Sequence, residues 1–204
     1  MLIDTHVHLN FTDYNSDLKE VVDRAVAEGV ESLIEVGTDV SSSKRALEIA
    51  REYPFIHASV GIHPNDATAG TEKDWQEIKD LAKAQEVVAI GETGLDYHHK
   101  YSTREEQQRL FERHIELALE LDKPIIVHNR EATEDCVKIL GKFSDRPLKG
   151  TLHCFSGSEE TARECLHMGF YISFAGPVTF PNARRLREVV GSVPIEKLLL
   201  ETDS

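Results

Sequence analysis

Short apolar runs recur eight times along the chain, with amphipathic stretches between most of them. The runs are LIDTH (2–6), SLIEV (32–36), IHASVG (56–61), VVAIGE (87–92), PIIVH (124–128), GTLHCF (150–155), FYISFAG (170–176) and KLLLETD (197–203). Near-continuous apolar runs rich in Val and Ile suit parallel strands buried on both faces, and parallel neighbours need a crossover, usually a helix. Helical stripes supply crossovers. Leu18, Val21, Val22, Ala25 and Val26 form one; Leu110, His114, Leu117, Ala118 and Leu121 mark the longest, over 104–121. Ala132, Cys136, Val137 and Leu140 mark a third, Thr161, Ala162, Cys165 and Leu166 a fourth, and Ala183 to Val190 a shorter one. Gly29, Gly141 and Gly169 stand where helix C-caps are expected, Asp17 and Ser158 where N-caps are. The pattern predicts an α/β fold, a (β/α)8 TIM barrel, with a doubly wound sheet as the alternative.

No linker, repeat or low-complexity tract interrupts the chain, so residues 1–204 read as a single barrel domain. That length is tight against the roughly 250 residues typical of such barrels. The chain stops right after its eighth run with no eighth helix, which reads as a barrel lacking its last helix, truncated at the C-terminus. No stretch approaches 18 apolar residues, and no basic segment followed by an apolar one opens the chain. Cys136, Cys154 and Cys165 are odd in number and lack CxxC spacing, which fits a reducing compartment and a cytoplasmic location. The net charge of −13 excludes a broad basic face for duplex DNA. A nucleic-acid substrate would have to be met locally, where a metal reverses the charge.

The ends of the runs carry the chemistry. In DTHVHLN (4–10), His6 and His8 lie two apart at a strand end and aim at one point. Alone, the pair is equally two polar residues finishing a strand. The fourth run ends with Glu92, the fifth with His128, the sixth reaches His153 and the eighth Asp203. In a barrel these ends share the C-terminal rim, where such enzymes keep their active sites. Four imidazoles and two carboxylates exceed one tetrahedral zinc and suit two divalent ions with a bridging carboxylate.

DTHVHLN, GIHP (61–64), GETGLDY (91–97), PIIVHNR (124–130), HCFSG (153–157), SFAGPVTF (173–180) and LLLETDS (198–204) resemble, in order, the motifs of the TatD-type metal-dependent deoxyribonucleases within the amidohydrolase-like superfamily. The resemblance implies a TIM barrel with a two-metal site and a deoxyribonuclease activity, in several members a 3′–5′ exonuclease on single-stranded DNA. It implies that His6, His8, Glu92 and Asp203 hold one metal and that His128 and His153 hold the other, with Glu92 bridging. The expected ions are Mg²⁺ or Mn²⁺ in use, with Zn²⁺ or Ni²⁺ as alternatives in isolated protein. In the family the last motif runs on into proline and further helices; here the chain ends at Ser204.

On this reading the catalytic residues are Asp203, as acceptor of the water's proton, Glu92 and His63. His63 is also expected to contact substrate phosphate, against a loop-stabilising hydrogen bond as the alternative. Arg130 can hold a phosphate bidentately or be a solvated helix-start residue. Asp96 can orient His63 or a metal ligand on the substrate side, or serve a turn. Glu201, two before Asp203, is expected to point into the barrel, where a carboxylate needs a partner, and reads as a structural ion pair or as a catalytic group. His98 and His99 sit in a polar loop and read as inert or as substrate contacts; His57, His114 and His167 read as core histidines. Cys154, next to a ligand position, is expected to point away from the metals. Phe155, Phe174 and Phe180 read as packing or as base-stacking groups. Two other functions stand beside the nuclease: an esterase, lactonase or amidase of the amidohydrolase type, and a barrel that binds without cutting because it is incomplete. Superfamily relatives with the former activities often use a carboxylated lysine, and no lysine stands at position 92.

Overall fold

The computed structural model describes residues 2–204. Eight parallel strands form one sheet in chain order: β1 (Leu2–Val7), β2 (Val30–Val36), β3 (Ile56–Val60), β4 (Val87–Asp96), β5 (Ile125–Arg130), β6 (Gly150–Leu152), β7 (Tyr171–Phe174) and β8 (Leu198–Leu200). One helix lies between each consecutive pair: α1 (Leu18–Ala27), α2 (Val40–Glu52), α3 (Glu72–Leu81), α4 (Arg104–Glu120), α5 (Thr133–Gly141), α6 (Glu159–His167) and α7 (Arg184–Ser192). This is the (β/α)8 barrel, nearly closed. The seam between β8 and β1 is held by Asp203 N–H to the His6 carbonyl at 3.0 Å and His8 N–H to the Ser204 carbonyl at 2.6 Å. The Thr5 hydroxyl donates to the Leu200 carbonyl at 3.0 Å, and the Thr202 hydroxyl to Asp4 at 2.7 Å.

Local chemistry explains the elements. The helices α2, α3 and α4 open on reciprocal capping boxes, Asp39 with Ser42, Thr71 with Asp74 and Thr103 with Glu106. The apolar helix faces meet the outer face of the sheet in the main core, where Phe111, Ile78, Ile90, Ile125, Phe170 and Ile172 are each at most 1% exposed. Burying such a side chain stabilises the fold by about 1.5–3 kcal/mol. Among the described residues no helix is long and apolar enough to cross a membrane.

Several expectations change. Ser158 does cap α6, accepting from Thr161 N–H, but Asp17 makes no side-chain cap bond to α1. Gly29 and Gly169 follow their helices with φ of +90° and +93°, whereas Gly141 is the last residue of α5 with no positive φ. His114 is fully buried, its Nδ1–H donating to the Leu110 carbonyl at 2.8 Å and its Nε2 accepting from Ile62 N–H at 3.1 Å. His57 is only partly buried and His167 is exposed, so neither is a core histidine. His167 is in the last turn of α6, facing water.

Candidate metal centre

Two irregularities in strand pairing shape the rim. On β1, Asp4 pairs with Leu33 and Val7 with Glu35, so β1 carries one residue more than β2 over that span. On β4, Ile90 pairs with Ile125 and Thr93 with Val127, again one extra residue, at Gly91–Glu92. Such bulges re-aim side chains beside active sites. Glu92 is therefore not the end of β4, which continues to Asp96 along β5. Its two glycine neighbours make the close approach possible. A Cβ on Gly94 would stand 2.1 Å from the His128 carbonyl oxygen, and one on Gly91 2.6 Å from that of Ile126; both have φ near +137° (+136° and +138°).

Glu92, 3% exposed, is the hub. Its Oε1 is 2.8 Å from His128 Nδ1, 2.7 Å from His153 Nε2 and 3.6 Å from His63 Nε2. Its Oε2 is 3.3 Å from His6 Nε2 and 3.7 Å from His8 Nε2. One carboxylate thus divides four imidazoles into two pairs. Within the pairs ring nitrogens face each other, His6 Nε2 and His8 Nε2 at 3.1 Å, His128 Nδ1 and His153 Nε2 at 3.2 Å. Asp203 Oδ1 is 3.7 Å from His6 Nε2 and 3.8 Å from His8 Nε2, its side chain 33% exposed.

Each pair is supported from behind. His8 Nδ1 meets the Val36 carbonyl at 3.0 Å, which fixes the proton there and leaves Nε2 as a lone pair. The backbone just after it is clamped by buried Glu35, which accepts from Leu9 N–H at 3.0 Å and Asn10 N–H at 2.8 Å. Burial pushes the Glu35 carboxyl up to about 8, against those two donors. Phe11 lies flat on His8, ring centres 4.7 Å apart. On the other side, Asp96 Oδ2 is 3.4 Å from His128 Nε2, and Glu201 Oε1 is 3.6 Å from His153 Nδ1. Glu201 also accepts from the Ser173 hydroxyl at 2.6 Å and from Cys154 N–H, a structural role.

The charges follow from burial and these partners. Burial alone would raise Glu92; His153 and the other imidazoles outweigh it and hold the carboxyl well below its ordinary range. Burial opposes a charge on both rings, yet Glu92 and Glu201 raise His153, and Asp96 and Glu92 raise His128. His8 is lowered, by burial and then by His6. Burial takes His63 down to about 4.

The chain therefore brings His6, His8, Glu92, His128, His153 and Asp203 to one mouth, with His63 among them. His63 caps the turn Pro64–Asp66, its Nδ1 accepting from Asn65 N–H at 3.1 Å, so Nε2 carries the proton and faces the centre. The loop-stabilising bond is therefore present, and the other ring nitrogen is left toward the centre. Arg130 is exposed and lines, with His128, His153 and Asp203, a cavity of about 270 Å³. Asp96 is 1% exposed; it meets His128 and His99 rather than His63. Cys154 does not point away: φ of +43° breaks the alternation, and its thiol lines the cavity beside Asp203. Burial and that carboxylate push it up to about 12, away from the reactive thiolate form. Phe155 and Phe174 pack edge to face in the core, while Phe180 is exposed. Sequence reasoning passed over Glu35 and Asp4. The signal for Glu35 was an acid inside the apolar run SLIEV, which must find buried partners.

Divalent cations fit this donor set. Two buried nitrogen–nitrogen contacts near 3.1 Å (3.1 and 3.2 Å) otherwise need a shared proton each, and His6, His8 and Asp203 on one side, His63, Glu92 and His128 on the other, lie close enough to share an ion. A barrel whose strand ends gather imidazoles and carboxylates in this way defines a metal-dependent hydrolase. The sequence model of the TatD-related DNase family matches residues 3–204. The uncharacterized metal-dependent hydrolase YabD of Bacillus subtilis is 51% identical over 203 residues, covering 100% of this chain and 80% of YabD. The 3′-5′ ssDNA/RNA exonuclease TatD of Salmonella typhimurium is 38% identical over 206 residues, 100% of this chain and 78% of that one. The crystal structure of YjjV, a TatD homologue from Escherichia coli, superposes with a TM-score of 0.93 at 31% identity, covering 99% of this chain and 78% of that chain. The chain belongs to the TatD-related DNase family and is a metal-dependent hydrolase that uses divalent metal.

Proposed function

We propose that the chain is a two-metal phosphodiesterase, a 3′–5′ exonuclease acting on single-stranded DNA. The observation that carries this reading is the division of four imidazoles by the two oxygens of Glu92. His6, His8, Glu92 and Asp203 would hold one ion, His128, His153 and Glu92 the other, Mg²⁺ or Mn²⁺ in use. Bound there, the pair supplies a water acidic enough to ionise near neutral pH and positive charge facing a phosphate.

The chain's own residues do the rest. Asp203, the more exposed carboxylate of the mouth, accepts the water's proton and aligns the water for in-line attack. His63 presents its Nε2–H to the phosphate as charge grows on the non-bridging oxygens. Arg130, on the cavity wall, offers two parallel N–H bonds to the same phosphate. Asp96, buried behind His128, holds that ring in place. A chain of net charge −13 would admit a polyanion only at such a locally positive mouth. The free thiols of Cys136, Cys154 and Cys165 support a reducing cytoplasm as its compartment.

The test is digestion of 3′-labelled, 5′-labelled and 3′-blocked single-stranded oligonucleotides after chelation, with Mg²⁺ or Mn²⁺ added back. The 3′ label should leave first, the 5′-labelled strand should shorten in steps, and the 3′-blocked strand should survive. Hydrolysis of simple esters with every strand left intact would replace the nuclease by an esterase.

A further inference from the structure

Beyond Asp96, which stands against His128, the loop after β4 lines a second cleft of about 540 Å³, with Tyr97, His99, Lys100, Tyr101, Arg104 and Thr68 among its walls. Two rings in it are stacked: His99 and Tyr101 lie 5.6 Å apart, centre to centre, at 9°. The inner ring is fixed. His99 Nδ1 bonds Asp96 Oδ2 at 2.8 Å, and His99 N–H donates to Asp96 Oδ1 at 2.9 Å. Asp96 is 1% exposed and its Oδ2 also stands 3.4 Å from His128. The outer ring is free: Tyr101 is 70% exposed, one face on His99 and the other toward water. A single carboxylate oxygen therefore ties an exposed aromatic stack to a metal-ligand imidazole.

Every nucleobase has a flat π face and stacks on aromatic side chains without regard to sequence. A ring already stacked on a fixed neighbour costs less conformational freedom on binding. Exposed Lys100, and Arg104 held 4.2 Å over the Tyr97 ring, add positive charge in the same cleft for the strand's backbone. We propose that this cleft is a nucleobase subsite: a base of the single strand stacks on the open face of Tyr101, one or two nucleotides from the phosphate at the metal centre. The proposal rests on the nuclease reading above and adds the group that grips the strand.

The test uses the metal-loaded chain and two single strands. One is a phosphorothioate oligonucleotide that resists cleavage and carries 2-aminopurine near its 3′ end, whose fluorescence falls on stacking. The other is a cleavable strand, made with natural bases or with abasic residues at its last positions. Wild type should quench the 2-aminopurine and prefer natural bases. Tyr101→Ala should lose the quenching and about tenfold in kcat/KM on the natural strand, mainly through KM, and nothing on the abasic strand. Tyr101→Trp should restore both. Quenching by Tyr101→Ala equal to wild type, or an equal loss on both strands, overturns the subsite. If wild type cleaves the natural strand yet shows no preference over the abasic one, the nuclease stands and the subsite falls. If wild type cleaves and binds neither strand, the nuclease reading falls and the subsite with it.

Discussion

The two imidazole pairs of the candidate metal centre share Glu92 and have unlike surroundings. His6, on β1, pairs with His8, just after it; His8 is backed by the Val36 carbonyl, the face of Phe11 and a backbone clamped by Glu35. His128 and His153, from β5 and the residue after β6, are backed by carboxylates, Asp96 at 3.4 Å and Glu201 at 3.6 Å. A carbonyl dipole fixes a ring and its tautomer. An anion does so too, and also makes the ring more basic. The same pair of imidazoles can thus be a near-neutral donor set on one side and a strongly electron-rich one on the other. The difference comes from what lies behind the ligands, with Glu92 serving both halves.

Glu92 is the largest lever, because its two oxygens face both imidazole pairs. Glu92→Gln keeps the shape and removes the charge that four imidazoles face. We expect loss of both ions and of at least about a thousandfold in rate, as for other removals of a group central to charge stabilisation. Metal analysis of the dialysed variant beside its turnover on single strands checks it. A variant that retains one ion and near-native turnover would show that the halves are independent.

The next effect separates the halves. Asp96→Asn and Glu201→Gln each leave the ligands in place and remove an anion behind one of them. Either should weaken the β5/β6 ion by about 10–100-fold and leave the β1 ion as it was. Dialysis against graded chelator, followed by metal counting, reads this as one ion departing early. Simultaneous loss of both ions would break the comparison.

The barrel and the gathering of six candidate ligands at one rim were readable in the chain because both depend on simple periodicity. Eight Val- and Ile-rich runs announce buried parallel strands, and the alternation of strand and helix leaves few topologies. His6, Glu92, His128, His153 and Asp203 fall at or near run ends, and run ends are one rim. The surroundings were less readable. Glu35 and Asp4 look like stray acids until the β2 carboxylate meets two N–H groups in the loop after β1, and Asp4 meets Thr202 across the seam, 198 positions away. Cys154 defeats alternation because its φ is +43°. Tyr101 looked like any loop tyrosine, since nothing in YHHKYST says that His99 will be pinned beneath it by Asp96. Long-range polar contacts carry no period, and period was the signal.

The smallest expected effect is on how the halves fill as pH changes. His128 and His153 are raised by the carboxylates beside them, so in the metal-free chain this pair keeps its proton to higher pH, and an incoming ion must displace it. Affinity on that side should therefore fall as pH drops through their raised range, by up to about tenfold per pH unit for each proton displaced. His8 is lowered, by burial and then by His6, so its own share of the proton release should be smaller and confined to lower pH. The sign is opposite to what basicity alone suggests: the anion-backed half is the better donor at high pH and the more hindered one at low pH. Calorimetric titration with Mn²⁺ at pH 6, 7 and 8, in buffers of different ionisation heat, counts the protons released per ion. Two binding steps with unequal proton release, the larger one reduced in Asp96→Asn, are expected. Equal release in both steps would mean that the carbonyl and the carboxylates tune their rings alike, and that the asymmetry behind the ligands is without consequence for the metals.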